Sequence, residues 1–227
     1  MQTLAHRLTL VREQISKAEQ EFNRIPSSVQ LLAVSKTQPP ETVAMAFDLG
    51  QRDFGENYLQ EALPKIQTLK ALPITWHFIG QIQANKTRPL SEYFDWIHSV
   101  DRLKIAKRLS DQRPHNFKPL NVCLQVNLEN EAGKGGVRPA ELPVLAGQII
   151  NLPRIRLRGL MAIPSRQDTF EGQRRLFRQL RNWQTLLNAE GLSLDTLSMG
   201  MSADLTAAIA EGATIVRVGT AIFGERR

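Results

Sequence analysis

The first part of the chain carries a hydrophobic stripe with helical spacing. The apolar positions recur at alternating steps of four and three, at Leu4, Leu8, Val11, Ile15, Ala18 and Phe22. This spacing places them on one face and predicts a long amphipathic helix over residues 2–24, which Pro26 ends. A coiled-coil seam is an alternative, but about three heptads are short for one. We therefore expect the helix to pack against the rest of the domain.

After this helix, short apolar or β-branched runs alternate with helical patterns. The runs predict eight strands, at residues 31–36, 53–57, 75–80, 96–100, 121–128, 157–163, 196–200 and 215–219. Helices are predicted between them, at residues 41–49, 59–69, 101–112, 139–151, 170–189 and 203–211, and Tyr93 lies in a further helical segment. Each crossover helix returns the chain to the same edge, so strict alternation predicts parallel pairing.

Eight such units within about 190 residues fit an α/β fold of one closed (β/α)8 barrel, slightly below the usual size. An open, doubly wound sheet is the alternative. No stretch reads as an interdomain linker, so residues 1–227 are expected to form one domain, with the helix at about 2–24 and the barrel at about 31–224. Residues 129–138 predict a glycine-rich loop near the barrel mouth, which either closes over a ligand or is an ordinary mobile loop.

Composition narrows the functional classes. The 227 residues include 29 Lys plus Arg and 22 Asp plus Glu, a net charge of +7. The basic residues are spread and are not interleaved with aromatic residues, so no specific nucleic-acid site is predicted. Cys123 is the single cysteine and the four histidines lie in separate segments, which predicts neither a disulfide nor a metal cluster and favours a reducing cytoplasm. No apolar run reaches the length of a membrane span.

The first predicted strand ends at Lys36. In a parallel barrel, reactive groups collect at the carboxyl ends of strands. A lysine there, beside the inward-facing Leu32 and Val34, would lose proton affinity and could form a Schiff base. The alternative is that Lys36 only opens a solvent-exposed loop.

The last two strand ends predict a phosphate site. Residues 198–203 lead from a strand into a helix beginning near Ala203, so that backbone amides after Gly200 converge on one spot. Ser202 also fits a purely structural role as the N-cap of that helix. The eighth strand ends with Gly219, which allows close backbone approach, and with Thr220, which adds a hydroxyl. Barrels often bind phosphate after strands 7 and 8.

Arg217 shares strand parity with Gly219, so both are expected to face the barrel mouth. An arginine offers only donors, and it would keep a facing heteroaromatic nitrogen unprotonated. The alternative is a buried ion pair, with Glu56 as a candidate partner. A phosphate cradle, a desolvated lysine and an inward arginine together suit pyridoxal 5'-phosphate (PLP).

Seven stretches carry a resemblance to a known family. They are AVSKTQP at 33–39, FGENYLQEA at 54–62, WHFIGQIQANK at 76–86, IHSVDR at 97–102, LRGLMAIP at 157–164, LSMGMSADLTAAI at 197–209 and VRVGTAIFG at 216–224. From about residue 4 to residue 224 the chain resembles the YggS/PROSC family of PLP homeostasis proteins, which look like the barrel domain of alanine racemase standing alone.

The resemblance implies roles for individual residues. Lys36 would hold PLP as a Schiff base, Asn57 would lie beside the ring, Met161 would border the pocket and Arg217 would face the pyridine nitrogen. The phosphate would be held by Ser198, Met201, Ser202, Gly219 and Thr220. Outside this set, His77 either reaches the pocket or is structural, His98 is expected to be structural, and Cys123 is expected to be a core residue.

Two functions remain open at this stage. The related racemase takes its second base, a tyrosine, from another subunit's additional domain, which is not expected here. Tyr58 and Tyr93 are poorly placed to replace it, and an unprotonated ring nitrogen makes a poor electron sink. The leading hypothesis is therefore a monomeric PLP carrier that buffers or delivers the cofactor, with PLP-dependent apoenzymes as recipients, and influences vitamin B6, amino-acid and keto-acid balance. The alternative is a weak PLP-dependent racemase with His77 or water as the second base.

Overall fold

The structure, a computed structural model, describes residues 2–224 and contains a closed barrel of eight parallel strands. The strands are β1 (Gln30–Val34), β2 (Asp53–Glu56), β3 (Thr75–Phe78), β4 (Trp96–Val100), β5 (Leu120–Gln125), β6 (Ile155–Met161), β7 (Thr196–Ser198) and β8 (Ile215–Val218). Each strand pairs in parallel with the next, and β8 pairs with β1. The predicted (β/α)8 barrel is confirmed, and the open sheet is wrong.

Helices connect the strands on the outside of the barrel. They are α1 (Leu4–Glu21), α2 (Pro40–Asp48), α3 (Leu59–Thr68), α4 (Thr87–Tyr93), α5 (Leu103–Gln112), α6 (Leu142–Ile149), α7 (Phe170–Ala189), α8 (Leu205–Ala210) and α9 (Thr220–Phe223). The predicted helix at 139–151 begins as a separate 3-10 turn, Pro139–Glu141, before α6. The short α9 was not predicted, because one helical turn carries too few residues to show a periodic pattern.

The predicted N-terminal helix is present as α1 and packs on α8 and α9. Thr3 caps its start by accepting a hydrogen bond from the His6 amide. The helix ends at Glu21, and Asn23 takes a left-handed conformation with φ of 52°. Pro26 lies beyond this turn, so it is not the residue that ends the helix.

The core has two parts, inside and outside the barrel wall. Leu32, Val34, Ile79 and Ile215 cluster together, and a second small cluster joins Trp96, Cys123 and Met161. The larger cluster includes residues of both strands and helices and fills the space between them, with Phe54, Phe94 and Phe177 among its largest fully buried side chains. Burial raises the pKa of Cys123 to about 12, so this thiol has the inert character expected of a core residue.

Residues 2–224 contain neither a membrane-spanning helix nor a cluster of metal ligands. No helix within residues 2–224 combines the length and apolar character needed to cross a bilayer. The same residues contain no group of three or more histidine, cysteine, aspartate or glutamate side chains placed to bind a metal ion.

Candidate cofactor-binding site

A cavity of about 500 Å³ lies at the carboxyl ends of the strands. This volume falls within the usual range of small-ligand sites, roughly 300–1,000 Å³. The predicted site residues that line it are Lys36, Asn57, Met201, Ser202, Arg217, Gly219 and Thr220. The apolar side of the lining includes Val34, Ile79 and Ile163. Barrel closure thus brings residues at the end of the first strand together with residues that follow the last strand.

Lys36 lies two residues beyond the end of β1, and both of its neighbours are held by helix α3. The Ser35 carbonyl accepts a hydrogen bond from the Lys65 ammonium at 2.8 Å, and the Thr37 amide donates to the Glu61 carboxylate at 3.1 Å. Thr37 has a left-handed backbone, with φ of 65°. Because side chains of α3 hydrogen-bond to the backbone on both sides of Lys36, this lysine lies on an anchored segment of the chain.

The same helix supplies a buried ion pair beside β1 and β2. The Lys65 ammonium contacts Glu56 Oε1 at 2.6 Å, and the Ser35 hydroxyl donates to the same oxygen at 2.6 Å. Both charged side chains are at most 4% exposed. Burial raises the pKa of Glu56, although Lys65 and Ser35 oppose the shift. The proposed alternative of a Glu56 pair with Arg217 is wrong, because Glu56 faces α3 and is bound by Lys65.

Arg217 occupies the floor of the cavity and is 4% exposed. Its Nη1 donates to the carbonyl and hydroxyl oxygens of Ser198 at 2.6 and 2.8 Å, and its Nη2 donates to the Ala162 carbonyl at 2.9 Å. Burial lowers the pKa of Arg217 to about 10, while nearby Asp204 and Cys123 act in the opposite direction. The guanidinium is therefore still a cation at neutral pH, and its orientation is set by the β6 and β7 ends.

The loop after β7 differs in one respect from the prediction. Helix α8 begins at Leu205, and Asp204 rather than Ser202 occupies the N-cap position. The Asp204 carboxylate accepts the Met201 amide at 2.6 Å, so that amide is not available to an anion. Burial raises the pKa of Asp204, against the hydrogen bond from Met201 and the charge of Arg217.

Ser202 and Thr220, which carry hydroxyl side chains, nevertheless line the cavity. Gly219 allows the close packing expected of it, since a Cβ at this position would lie 3.2 Å from the Val34 carbonyl oxygen. Gly200 has φ of +92°, and a Cβ there would lie 2.6 Å from the Ala208 side chain. The two glycines therefore allow close backbone packing in the loop after β7 and at the end of β8, the two segments that carry Ser202 and Thr220.

Asn57 forms the wall next to β3. Its side-chain Oδ1 is buried and has no hydrogen-bond partner among the described residues. An added Cβ on Gly80 would collide with the Asn57 carbonyl, so the glycine lets the loop after β3 lie against Asn57. A buried acceptor without a partner at a cavity wall is suited to a ligand that donates a hydrogen bond.

Met161 and Ser198 do not line the cavity, although both were predicted to contact the cofactor. Met161 is fully buried and packs with Trp96 and Cys123. Ser198 is also fully buried, and its hydroxyl lies between Arg217 and His98. Ser198 thus contacts the cavity floor from below.

His77 and His98 are fully buried within the barrel and also lie outside the cavity lining. Their rings are hydrogen-bonded to each other at 2.9 Å, and His77 Nε2 contacts Asp53 at 3.1 Å. His77 stacks on Trp96 with ring centroids 5.5 Å apart. The possibility that His77 reaches the pocket is therefore wrong.

The predicted loop at 129–138 does not contribute to the cavity lining. Glu129 accepts hydrogen bonds from the amide and hydroxyl of Ser165, and Lys134 pairs with Glu131 at 2.6 Å. The Asn127 side chain spans the loop by donating to the carbonyls of Glu131 and Lys134. These bonds tie the loop to itself and to the segment after β6.

The fold and the cavity define the class of protein: residues 7–227 match the family model described as alanine racemase, N-terminal domain. The chain belongs to this family and, within it, to the pyridoxal phosphate homeostasis proteins, so the predicted resemblance is confirmed.

Two curated relatives and one solved structure support this placement. The pyridoxal phosphate homeostasis protein of Pseudomonas aeruginosa is 57% identical over 226 residues, which cover 100% of this chain and 97% of that protein. The Escherichia coli K12 protein of the same name is 50% identical, covering 100% of this chain and 98% of its own length. The structure of PipY from Synechococcus elongatus with PLP bound is 40% identical, with a TM-score of 0.86 over 98% of this chain and 100% of that chain.

Proposed function

We propose that this protein binds PLP through Lys36 and acts in PLP homeostasis as a carrier that buffers or delivers the cofactor. The observation that carries the proposal is the cavity itself, where Lys36, Arg217 and the hydroxyls of Ser202 and Thr220 line one space. When bound, PLP supplies an aldehyde that reacts with a primary amine and a ring that withdraws electrons. The proposal is supported by the relatives that carry the homeostasis name and by the PLP-bound PipY structure.

The residues of the cavity match the parts of PLP. Lys36 supplies the amine for a Schiff base, and the hydroxyls of Ser202 and Thr220 supply donors for the phosphate, beside the close approach that Gly219 allows. Asn57 supplies a buried acceptor. Met201 belongs to this wall through its side chain, because its amide is already bonded to Asp204. Met161 and Ser198 support the cavity from the barrel interior and are not assigned direct contacts.

Arg217 favours a carrier over a catalyst. Its guanidinium presents donors only, so a ring nitrogen that faces it acts as an unprotonated acceptor. Such a ring stabilises negative charge at the substrate carbon poorly, which disfavours racemisation. The cationic state of Arg217 at neutral pH, with a pKa of about 10, supports this role.

The described residues also offer no well-placed second base. Neither Tyr58 nor Tyr93 lines the 500 Å³ cavity, and their side chains are 54% and 38% exposed. His77 is fully buried and hydrogen-bonded to His98 and Asp53. A two-base racemase needs a proton donor and acceptor on opposite faces of the reacting carbon. The proposal therefore includes no sustained turnover, and apoenzyme recipients, a monomeric state and a cytoplasmic location remain predictions.

The test is to add PLP to the purified protein, reduce it with borohydride and map the modified peptide. We expect a yellow protein and a pyridoxyl group on Lys36, with both lost in Lys36→Ala. Lys104→Ala, on the exposed side of α5, is the matched control and should behave like wild type. A wild-type protein that stays colourless and unmodified at Lys36 would refute the proposal. Sustained conversion of an L-amino acid to its D form, abolished in Lys36→Ala, would replace the carrier with a racemase.

A further inference from the structure

A continuous chain of hydrogen bonds crosses the barrel interior beneath the cavity. It joins Asp53 Oδ1 to His77 Nε2 at 3.1 Å, His77 Nδ1 to His98 Nε2 at 2.9 Å, and His98 Nδ1 to the Ser198 hydroxyl at 2.7 Å. Arg217 Nη1 then donates to the same hydroxyl oxygen at 2.8 Å. The chain begins at the first residue of β2, on the amino-terminal face of the barrel, and ends at the cavity floor.

The partners of Ser198 decide which way the hydrogens point. Arg217 has no acceptor atom, so the Ser198 oxygen accepts from it. The hydroxyl hydrogen of Ser198 then has one acceptor among the described residues, His98 Nδ1. Burial, with the charges of His77 and Arg217, holds the pKa of His98 well below its usual value, so this ring is neutral and carries one hydrogen.

The remaining hydrogens follow from that assignment. With Nδ1 accepting from Ser198, His98 carries its hydrogen on Nε2 and donates it to His77 Nδ1. His77 then carries its hydrogen on Nε2 and donates it to the Asp53 carboxylate. If every hydrogen pointed the other way, His98 Nδ1 and Arg217 would both donate to the Ser198 hydroxyl oxygen. The hydroxyl's own hydrogen would then have no acceptor within residues 2–224.

We infer that Asp53, His77, His98 and Ser198 form a hydrogen-bond relay with one fixed direction, which positions Arg217 at the cavity floor from the far end of the barrel. These are positioning residues for the cofactor contact, and this part of the inference rests on the proposed PLP function. The relay keeps the lone pairs of the Ser198 hydroxyl turned toward Arg217, so the guanidinium is held at the angle in which it meets a bound ring.

The first test uses the protein without PLP. Nitrogen-15 NMR of histidine-labelled protein should show His77 and His98 each with its hydrogen on Nε2. The Ser198→Ala variant should allow His98 to exchange between its two tautomers, whereas Ser198→Thr should keep the wild-type tautomer. A hydrogen on Nδ1 of His98 in the wild type would overturn the relay whatever the protein does with PLP.

The second test measures the pH midpoint of the visible absorption change of bound PLP. Asp53→Ala removes the far end of the relay without touching the cavity lining, and we expect the midpoint to move by roughly half a pH unit, a threefold change in the equilibrium. Asp53→Asn, whose amide oxygen still accepts from His77, should keep the midpoint close to the wild-type value. If Asp53 contributed only to stability, Asp53→Ala would lower the unfolding temperature and leave the pH midpoint at the wild-type value.

Asp195→Ala is the matched control, since Asp195 lies just before β7 at the same barrel face and pairs with Arg158 outside the relay. It should leave the midpoint at the wild-type value. An unchanged midpoint in Asp53→Ala, or an equal shift in Asp195→Ala, would refute the positioning role. A wild-type protein that does not bind PLP would refute the proposed function, and the NMR result would still decide the relay.

Discussion

Arg217 donates to both the carbonyl and the hydroxyl oxygen of Ser198, at 2.6 and 2.8 Å, so one guanidinium nitrogen joins β8 to the end of β7. The ladder between β7 and β8 is short, and in it Ser198 lies opposite Ile215. The arginine thus joins β7 and β8 where their ladder is short, and it also forms the cavity floor.

Replacing Arg217 should therefore destabilise the fold. Arg217→Leu removes the guanidinium donor from the buried carbonyl of Ala162 and from the carbonyl and hydroxyl of Ser198, although the Ser198 carbonyl still accepts from the Ala162 amide. We expect a loss on the order of 3 kcal/mol in the free energy of unfolding. Urea denaturation at neutral pH measures it. Arg88→Leu, which removes an exposed ion pair with Glu92, should cost less than about 0.5 kcal/mol. Equal losses in the two variants would contradict a bridging role for Arg217.

The buried pair of Lys65 and Glu56 should behave as a coupled unit. Lys65→Met leaves the Glu56 carboxylate buried without its partner, and we expect a loss of about 3–5 kcal/mol at neutral pH. Adding Glu56→Gln in the double variant should recover a large part of this loss, because no uncompensated charge remains. A double-mutant cycle by urea denaturation tests the coupling. Strictly additive losses would show that the two side chains do not stabilise each other.

The two cavity hydroxyls should contribute to cofactor retention. Ser202→Ala and Thr220→Ala each remove a donor to an anionic group, a loss of about 1.5–3 kcal/mol that corresponds to a rise of roughly 10- to 100-fold in the Kd for PLP. Absorbance titration with PLP measures it, and the unfolding curve should stay close to wild type. Thr185→Ala, on the exposed side of α7, provides the control. Unchanged Kd values in both cavity variants would place the phosphate elsewhere.

Glu211 should make stability depend on acid pH. Burial favours its protonated form, but hydrogen bonds from Arg178 and Arg174 and the charge of Arg181 outweigh burial and lower the pKa of Glu211. The native state then binds fewer protons than the unfolded state, so this contribution is present above the ordinary glutamate pKa and is lost as the pH falls through the lower native value.

The measurement is the difference in free energy of unfolding between wild type and Glu211→Gln across that acid range. The difference should favour wild type at neutral pH and shrink as the pH falls. Glu190→Gln, outside the arginine cluster on the exposed end of α7, should give no comparable trend. A difference that grows on acidification would contradict the direction of the pKa shift.

The strand pattern predicted the barrel because each strand is short, apolar and followed by a helix, and parallel pairing leaves few topologies for eight such units. Strand parity also brought Lys36 and Arg217 to the same mouth, since alternation along a strand is strict. These predictions depend on the order of the elements and on alternation along each strand, both of which a single sequence shows, whereas closure was decided by the structure.

The interactions that were missed depend on side chains from distant elements. Lys65 lies on a helix whose pattern also fits an exposed lysine, and only the packing of α3 buries it against Glu56. His77 and His98 meet because β3 and β4 are adjacent and both rings point inward. Asp204 took the cap position expected of Ser202 because both residues suit it chemically, and the local sequence does not distinguish them.

The N-terminal helix has a consequence for the design of truncated or tagged versions. Arg7 donates to the Ile222 carbonyl at 2.5 Å, and the two residues that follow Ile222 line the cavity. Removing the residues before β1 would therefore loosen one rim of the ligand cavity, although no residue of α1 borders it. A minimal barrel made by trimming the first twenty-odd residues would therefore have a poorly supported cavity rim, and it would not be a smaller version of the same protein.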